Sequence, residues 1–171
     1  MVSKKYVSWQ DIENKCLSIV NLIRTYDAKY DCIVCAGRGG MIPSRIISEY
    51  LDIRNIYIYN IRSYTGIDQQ GEIVSEKFDF SVLEGKNVLI VDDIYTTGHT
   101  LKFICDTISN NVDNVFISTV TLYENANQLT IDKKPNFFAD TYDSVKDWIV
   151  FPWENDSLPP MPELEDIKHE D

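Results

Sequence analysis

Long apolar runs are missing from this sequence: none approaches the roughly 18–20 residues needed to cross a bilayer, and the Met1–Lys5 start is not followed by an apolar signal segment. A cytoplasmic chain with no membrane partner is therefore expected. Basic residues are scarce too, with 16 Lys and Arg against 27 Asp and Glu and a formal net charge of -11. A surface of that sign is unsuited to wrapping a nucleic-acid backbone, where Lys and Arg neutralise phosphates. No nucleic-acid partner is expected, and any anionic ligand must be held by a local site. Histidine occurs twice, at His99 and His169, too few to build a histidine metal cluster or a triad. Of the four cysteines, Cys32 and Cys35 have Cys-x-x-Cys spacing. They lie inside an apolar run, and no second pair completes a zinc set. Cys16, Cys32, Cys35 and Cys105 are expected to be reduced, buried core residues. No internal repeat is found.

What is present is enough for one domain with a real core: 171 residues, 44% of them hydrophobic. Ser8-Trp9-Gln10-Asp11 is a capping box with an acidic third residue, and it predicts a helix to about Tyr26. Residues 32–36 predict a short apolar strand, Gly37 to Gly40 a turn, and Pro43 the first turn of a helix to about Leu51. Ile56 to Ile61 and Ile73 to Phe80 read as strands, with a polar, aperiodic loop between them. Glu84-Gly85-Lys86 reads as a turn, Asn87 to Val91 as a continuous apolar strand ending in Asp92-Asp93, and Asn114 to Leu122 as one more strand. This alternation predicts an α/β fold with an open, mostly parallel sheet flanked by helices. The expected domain is 1–154. A small irregular hood is drawn from about residues 1–8 and 133–154, and residues 155–171 are an acidic, proline-containing tail expected to be disordered.

The chemistry concentrates in Val88 to Leu101. An apolar strand runs into Asp92 and Asp93, then into the hydroxyl-rich turn Thr96-Thr97-Gly98-His99-Thr100 and a helix. Ligands of open α/β sheets bind at the carboxyl ends of strands. The helix start offers unpaired N–H groups and its positive dipole end, Gly98 lets the backbone approach a phosphate, and the threonines add donors. Hydrogen bonds to a charged partner contribute roughly 1.5–3 kcal/mol each, so such a turn can hold a phosphate without lysine. Two adjacent carboxylates would repel that phosphate unless ribose hydroxyls or a magnesium ion intervened, and a diphosphate ligand brings magnesium with it. The competing reading is an acidic turn capping a helix. Upstream, Arg38 and Gly39 sit in a second glycine turn after a strand. A guanidinium fork there matches diphosphate oxygens, although the same four residues also suit a plain tight turn.

Val88 to Leu101 resembles the signature of the type I phosphoribosyltransferase family, and Tyr6 to Glu154 is the span of the likeness. The resemblance implies transfer of the phosphoribosyl group of 5-phosphoribosyl 1-pyrophosphate to a nucleobase, with magnesium, by a dimer or tetramer. It implies that Thr96, Thr97, Gly98, His99 and Thr100 bind the 5'-phosphate. Asp92 and Asp93 then engage ribose hydroxyls directly or through the metal, and with Thr96 they flank the reacting centre. Arg38 and Gly39, with Ser63 and Tyr64 at the start of a closing lid, would take the diphosphate. The stretch from Lys134 to Glu154 is similar to that of bacterial xanthine–guanine enzymes, so Lys134 would reach an exocyclic oxygen, Trp148 stack on the base and Ile149 bind its edge through the backbone. One residue departs: Thr96 stands where the purine enzymes have aspartate, and threonine does not ionise near neutral pH. A purine-type acceptor leads, with another base or a non-catalytic module binding the donor or a nucleotide as alternatives.

Overall fold

The computed structural model describes residues 2–63, 73–127 and 134–154. Helix α1 (Trp9–Thr25) starts at Ser8 through the reciprocal capping box with Asp11 that the sequence predicts. Its apolar face, Ile12, Cys16, Ile19, Val20 and Ile23, is buried. After β1 (Ser3–Tyr6) and α1 come β2 (Cys32–Ala36), α2 (Met41–Leu51), β3 (Asn55–Tyr59) and the short pair β4 (Ile61–Ser63) and β5 (Ile73–Ser75). Then follow β6 (Asn87–Tyr95), α3 (His99–Asn111), β7 (Phe116–Asn125), β8 (Phe137–Tyr142) and β9 (Asp147–Val150).

The main sheet has the order β3-β2-β6-β7-β8, and every pairing in it is parallel. Such a sheet must be covered on both faces, which is why its central strands are continuous apolar runs. Successive side chains go to opposite faces. Ile33, Leu89 and Val91 pack in one core cluster with residues of α1 and α2, while Val34, Val88 and Ile90 pack in the other with Leu101, Ile104 and Ile108 of α3. Each such side chain, fully buried, contributes roughly 1.5–3 kcal/mol. Exposed pairs such as Arg45–Glu49 on α2 add at most about 1 kcal/mol. The four cysteines are free and buried. Burial pushes the Cys16 thiol up to about 12 and the Cys35 thiol to about 11, so neither is a nucleophile near neutral pH. Among the described residues no helix is long and apolar enough to cross a membrane.

Three elements differ from expectation. Strand β6 does not stop at Val91. Asp92, Ile94 and Tyr95 stay paired with Thr121, Tyr123 and Glu124 because β7 runs equally far. Ile73 to Phe80 is not one strand: β5 ends at Ser75, and Asp79 caps a single 3-10 turn over Phe80–Leu83. There Phe78 and Phe80 pack on Tyr59. Residues 134–154 are less irregular than the sequence reads. Strand β8 extends the main sheet, and β9 forms a parallel two-stranded ladder with β1, Ser3 opposite Asp147 and Tyr6 opposite Val150. All four residues of β1 are exposed, so no apolar period betrays it. Among the described residues between β7 and β8 there is no helix to supply the alternation that marks a parallel strand.

Candidate active site

Because the main strands are parallel, β2, β6, β7 and β8 end on one edge, and three adjoining hollows open there. Two glycine turns bring the first together. Between β2 and α2, a Cβ on Gly40 would lie 2.1 Å from the Val91 carbonyl oxygen, and a Cβ on Gly39 would lie 2.6 Å from Asp93 Oδ2. Only glycine lets this turn rest on the end of β6. The resulting cavity, about 670 Å³, is lined by Arg38, Gly39, Asp92, Asp93, Thr100 and Glu154 among others. Arg38 is exposed at the tip of its turn.

Asp92 and Asp93 are half-buried, and the backbone N–H of Asp93 donates to Asp92 Oδ1 at 3.0 Å. Burial, then repulsion from Asp93, holds the Asp92 carboxyl well above the usual carboxylate range. Burial pushes Asp93 up to about 6, with the nearby Glu154 charge adding to it. None of the ion pairs among the described residues reaches either acid. Positive charge is what this pair lacks. Two carboxylates that share a ligand's phosphate oxygens suit magnesium, which seldom takes an all-protein cage. The described residues offer no group of three or more His, Cys, Asp or Glu for a metal.

The second hollow, about 330 Å³, lies against the turn between β6 and α3 and is lined by Asp92, Asp93, Thr96, Thr97, Gly98 and Thr100 among others. Gly98 has φ +80°, and a Cβ there would meet the Tyr95 hydroxyl at 2.6 Å. No side chain caps α3 at Gly98, so the N–H groups of its first turn are open to an anion. His99 is exposed in that first turn.

The third hollow, about 200 Å³, is more apolar, with Ile94, Thr96, Tyr142, Trp148, Ile149 and Phe151 in its walls beside Asp93, Asp147 and Glu154. Trp148 is 60% exposed, a large ring side left to solvent. Strand β9 is held to β1 by its ladder and by the Lys5–Asp147 ion pair at 2.7 Å. Phe151 stacks on Trp153, centroids 4.8 Å apart, and its N–H donates to Glu154 Oε2 at 2.9 Å, which fixes the acid at the junction of the first and third hollows.

Asp92, Asp93, Thr96–Thr100, Arg38, Gly39, Trp148 and Ile149 thus lie at one edge of the sheet. Lys134 does not join them. Its ammonium lies 2.7 Å from buried Glu124, and it is not among the lining residues of these three hollows. A buried carboxylate needs a counter-charge, and that demand places the lysine. Ser63 ends β4, while Tyr64 lies outside the described residues, as does the acidic tail. Sequence reasoning gave no role to Tyr142 or Asn125. The Tyr142 hydroxyl donates to Thr96 Oγ1 and the Asn125 amide to the Thr96 carbonyl, both at 2.9 Å. Their only signal is a place at the carboxyl end of a strand.

Residues 5–158 match the family described as the phosphoribosyl transferase domain. The curated xanthine-guanine phosphoribosyltransferase of Idiomarina loihiensis is 28% identical over 150 residues, 87% of this chain and 86% of that protein. The solved purine phosphoribosyltransferase from Pyrococcus horikoshii superposes with a TM-score of 0.73 at 27% identity, covering 94% of this chain and 99% of its own. The xanthine-guanine-hypoxanthine enzyme of Helicobacter pylori shares the fold, with a TM-score of 0.77 at 21% identity over 90% of this chain and 96% of that one. Since the family match takes in the whole main sheet and all three hollows, the chain belongs to the phosphoribosyl transferase domain family.

Proposed function

We propose that this chain transfers the 5-phosphoribosyl group from 5-phosphoribosyl 1-pyrophosphate to a purine-type base of the guanine, xanthine or hypoxanthine class, giving a nucleoside monophosphate and diphosphate. One observation carries the reading: Asp93 lines all three hollows. The donor has a phosphate at one end and a diphosphate at the other, and the base must reach the ribose carbon between them. A ribose beside Asp93 would have a site for each.

In this assignment the 5'-phosphate takes the turn Thr96–Thr100, held by hydroxyls and by the N–H groups at the start of α3. Arg38 and the Gly39 backbone take the diphosphate, a role also assigned to Ser63 and Tyr64. A base nitrogen attacks C1' with its lone pair, the bond from C1' to the diphosphate oxygen breaks, its electron pair leaves with the diphosphate, and the proton of the base's imidazole N–H is given up to water. Positive charge that develops on the ribose is stabilised by Asp92 and Asp93, whose carboxylates also orient the ribose hydroxyls. Magnesium, held by Asp92, Asp93 and diphosphate oxygens, would supply neutralisation of the leaving group's charge. Trp148 stacks on the base and the Ile149 backbone meets its edge. Lys134, engaged by Glu124, is left out of the base set. The reading keeps the expectations of a cytoplasmic location and of a dimer or tetramer.

Given donor and magnesium, the chain should use guanine, xanthine or hypoxanthine and leave orotate and uracil unused. Stacking on a base contributes roughly 1–3 kcal/mol, so Trp148→Ala should raise KM for the base about tenfold with KM for the donor little changed. Steady-state kinetics over the five bases checks both. Equal use of orotate, or a Trp148→Ala effect confined to the donor, would overturn the base assignment.

A further inference from the structure

We infer that Lys134 and Glu124 are positioning residues for the phosphate turn: their ion pair steadies the ring of Tyr95, and that ring is the floor on which Gly98 rests. The inference rests on the proposed 5'-phosphate site in Thr96–Thr100. It gives Lys134 a part in holding the donor, where its spacing in the sequence points to the base.

Tyr95 is the last residue of β6, and it lines the phosphate hollow together with Thr96, Thr97 and Gly98. Its side chain is 1% exposed and packs in the core cluster that holds Leu101 and Ile104 of α3. A Cβ on Gly98 would meet the Tyr95 hydroxyl oxygen, Cε2 and Cζ at 2.6, 2.8 and 2.9 Å. The edge of the ring thus fills the space that a side chain at Gly98 would need, and it supports that residue at its φ of +80°. A shift of the ring is a shift of Gly98, the middle residue of Thr96–Thr100.

One strand away, Glu124 is opposite Tyr95 in the β6–β7 register. Side chains alternate along a strand, and Tyr123 packs in the other core cluster, so Glu124 goes to the α3 face of the sheet as Tyr95 does. It is 4% exposed there, and a carboxylate so placed needs a counter-charge. The Lys134 ammonium supplies it at 2.7 Å, from a side chain that is itself 55% exposed. The Tyr95 hydroxyl is buried without a hydrogen-bond partner. It feels both charges: burial raises its pKa most, the Glu124 carboxylate adds to that, and Lys134 opposes it. Without the ammonium, the buried carboxylate has that unspent hydroxyl as a donor to turn to. The ring would follow, and Gly98 would lose its floor.

The test is calorimetric binding of ribose 5-phosphate to the full chain, beside KM for the base at saturating donor and magnesium. A turn out of place loses hydrogen bonds to a charged phosphate. Lys134→Met should therefore weaken ribose 5-phosphate about tenfold and leave KM for the base unchanged. Lys134→Arg, which keeps the charge, should bind as the parent does. Tyr95→Leu should weaken ribose 5-phosphate to a similar degree, and Lys134→Met added to it should weaken it no further, because the ion pair acts through the ring. Should Lys134→Met fail to fold, Tyr95→Leu alone carries the test. An unchanged affinity in Tyr95→Leu, additive losses in the double variant, or a Lys134→Met effect confined to the base would each overturn the inference. Failure of ribose 5-phosphate to bind the unmodified chain would overturn the phosphate site and the inference together. Binding without base-dependent turnover would overturn the transfer reading alone, and the affinities of the variants would still decide the inference.

Discussion

Asp93→Asn should lower the rate of transfer by about a hundred- to a thousandfold, the range seen when one preorganised electrostatic contact to a transition state is lost. The reason is its place: Asp93 lines the phosphate turn, the diphosphate cavity and the base hollow at once. The same substitution should stabilise the protein. Burial raises the Asp93 pKa from 3.8 to about 6, so the folded chain binds its proton more tightly than the unfolded chain does. Stability then falls as pH rises from about 4 to about 6, and the penalty is fully present above 6. Asp93→Asn removes it, and relieves Asp92 of its neighbour's charge as well. A gain on the order of 3 kcal/mol at pH 7, vanishing below about pH 4, is expected. Denaturant unfolding across that range, alongside steady-state rates, measures both halves. A variant less stable at pH 7, or one with full activity, would contradict the role given to this carboxylate.

The second large effect concerns the turn before α2. Gly40→Ala should destabilise the chain by about 3 kcal/mol or more, because its Cβ would stand 2.1 Å from the Val91 carbonyl oxygen in the centre of the sheet. The Gly40 backbone is right-handed helical, φ -71°, so the loss is steric and owes nothing to glycine's conformational freedom. Gly39→Ala tests the neighbouring contact in a different currency. The three atoms nearest its Cβ all belong to the Asp93 carboxylate, the first at 2.6 Å, and a side chain can turn where a backbone carbonyl cannot. Gly39→Ala should therefore keep most of the stability and lose most of the rate. Thermal melts beside rates separate the two. A Gly40→Ala variant as stable as its parent would mean that β6 and the turn are not packed as described.

Much of the fold is legible in the sequence. Strands β2 and β6 announce themselves because a parallel sheet buried on both faces leaves unbroken apolar runs, and Ser8 with Asp11 marks the start of α1 with two hydrogen bonds that are local in sequence. The acids and the threonine turn were legible for the same reason, since they lie within a few residues of one another. What could not be read is what depends on strands far apart in the chain. The β1–β9 ladder pairs residues more than a hundred positions apart, and an exposed Ser-Lys-Lys-Tyr carries no pattern. Lys134 has the right spacing for a base ligand, but buried Glu124 holds it at 2.7 Å. Tyr142 and Asn125 reach Thr96 only because β6, β7 and β8 end in register, a fact of the sheet and of no single segment.

The most direct test of phosphoribosyl transfer is the release of diphosphate from 5-phosphoribosyl 1-pyrophosphate by the full chain with magnesium and guanine, xanthine or hypoxanthine. The expected result is release that requires the base and matches nucleoside monophosphate formed, one for one. The contradicting result is tight binding of donor or nucleotide with no base-dependent diphosphate from any of the three.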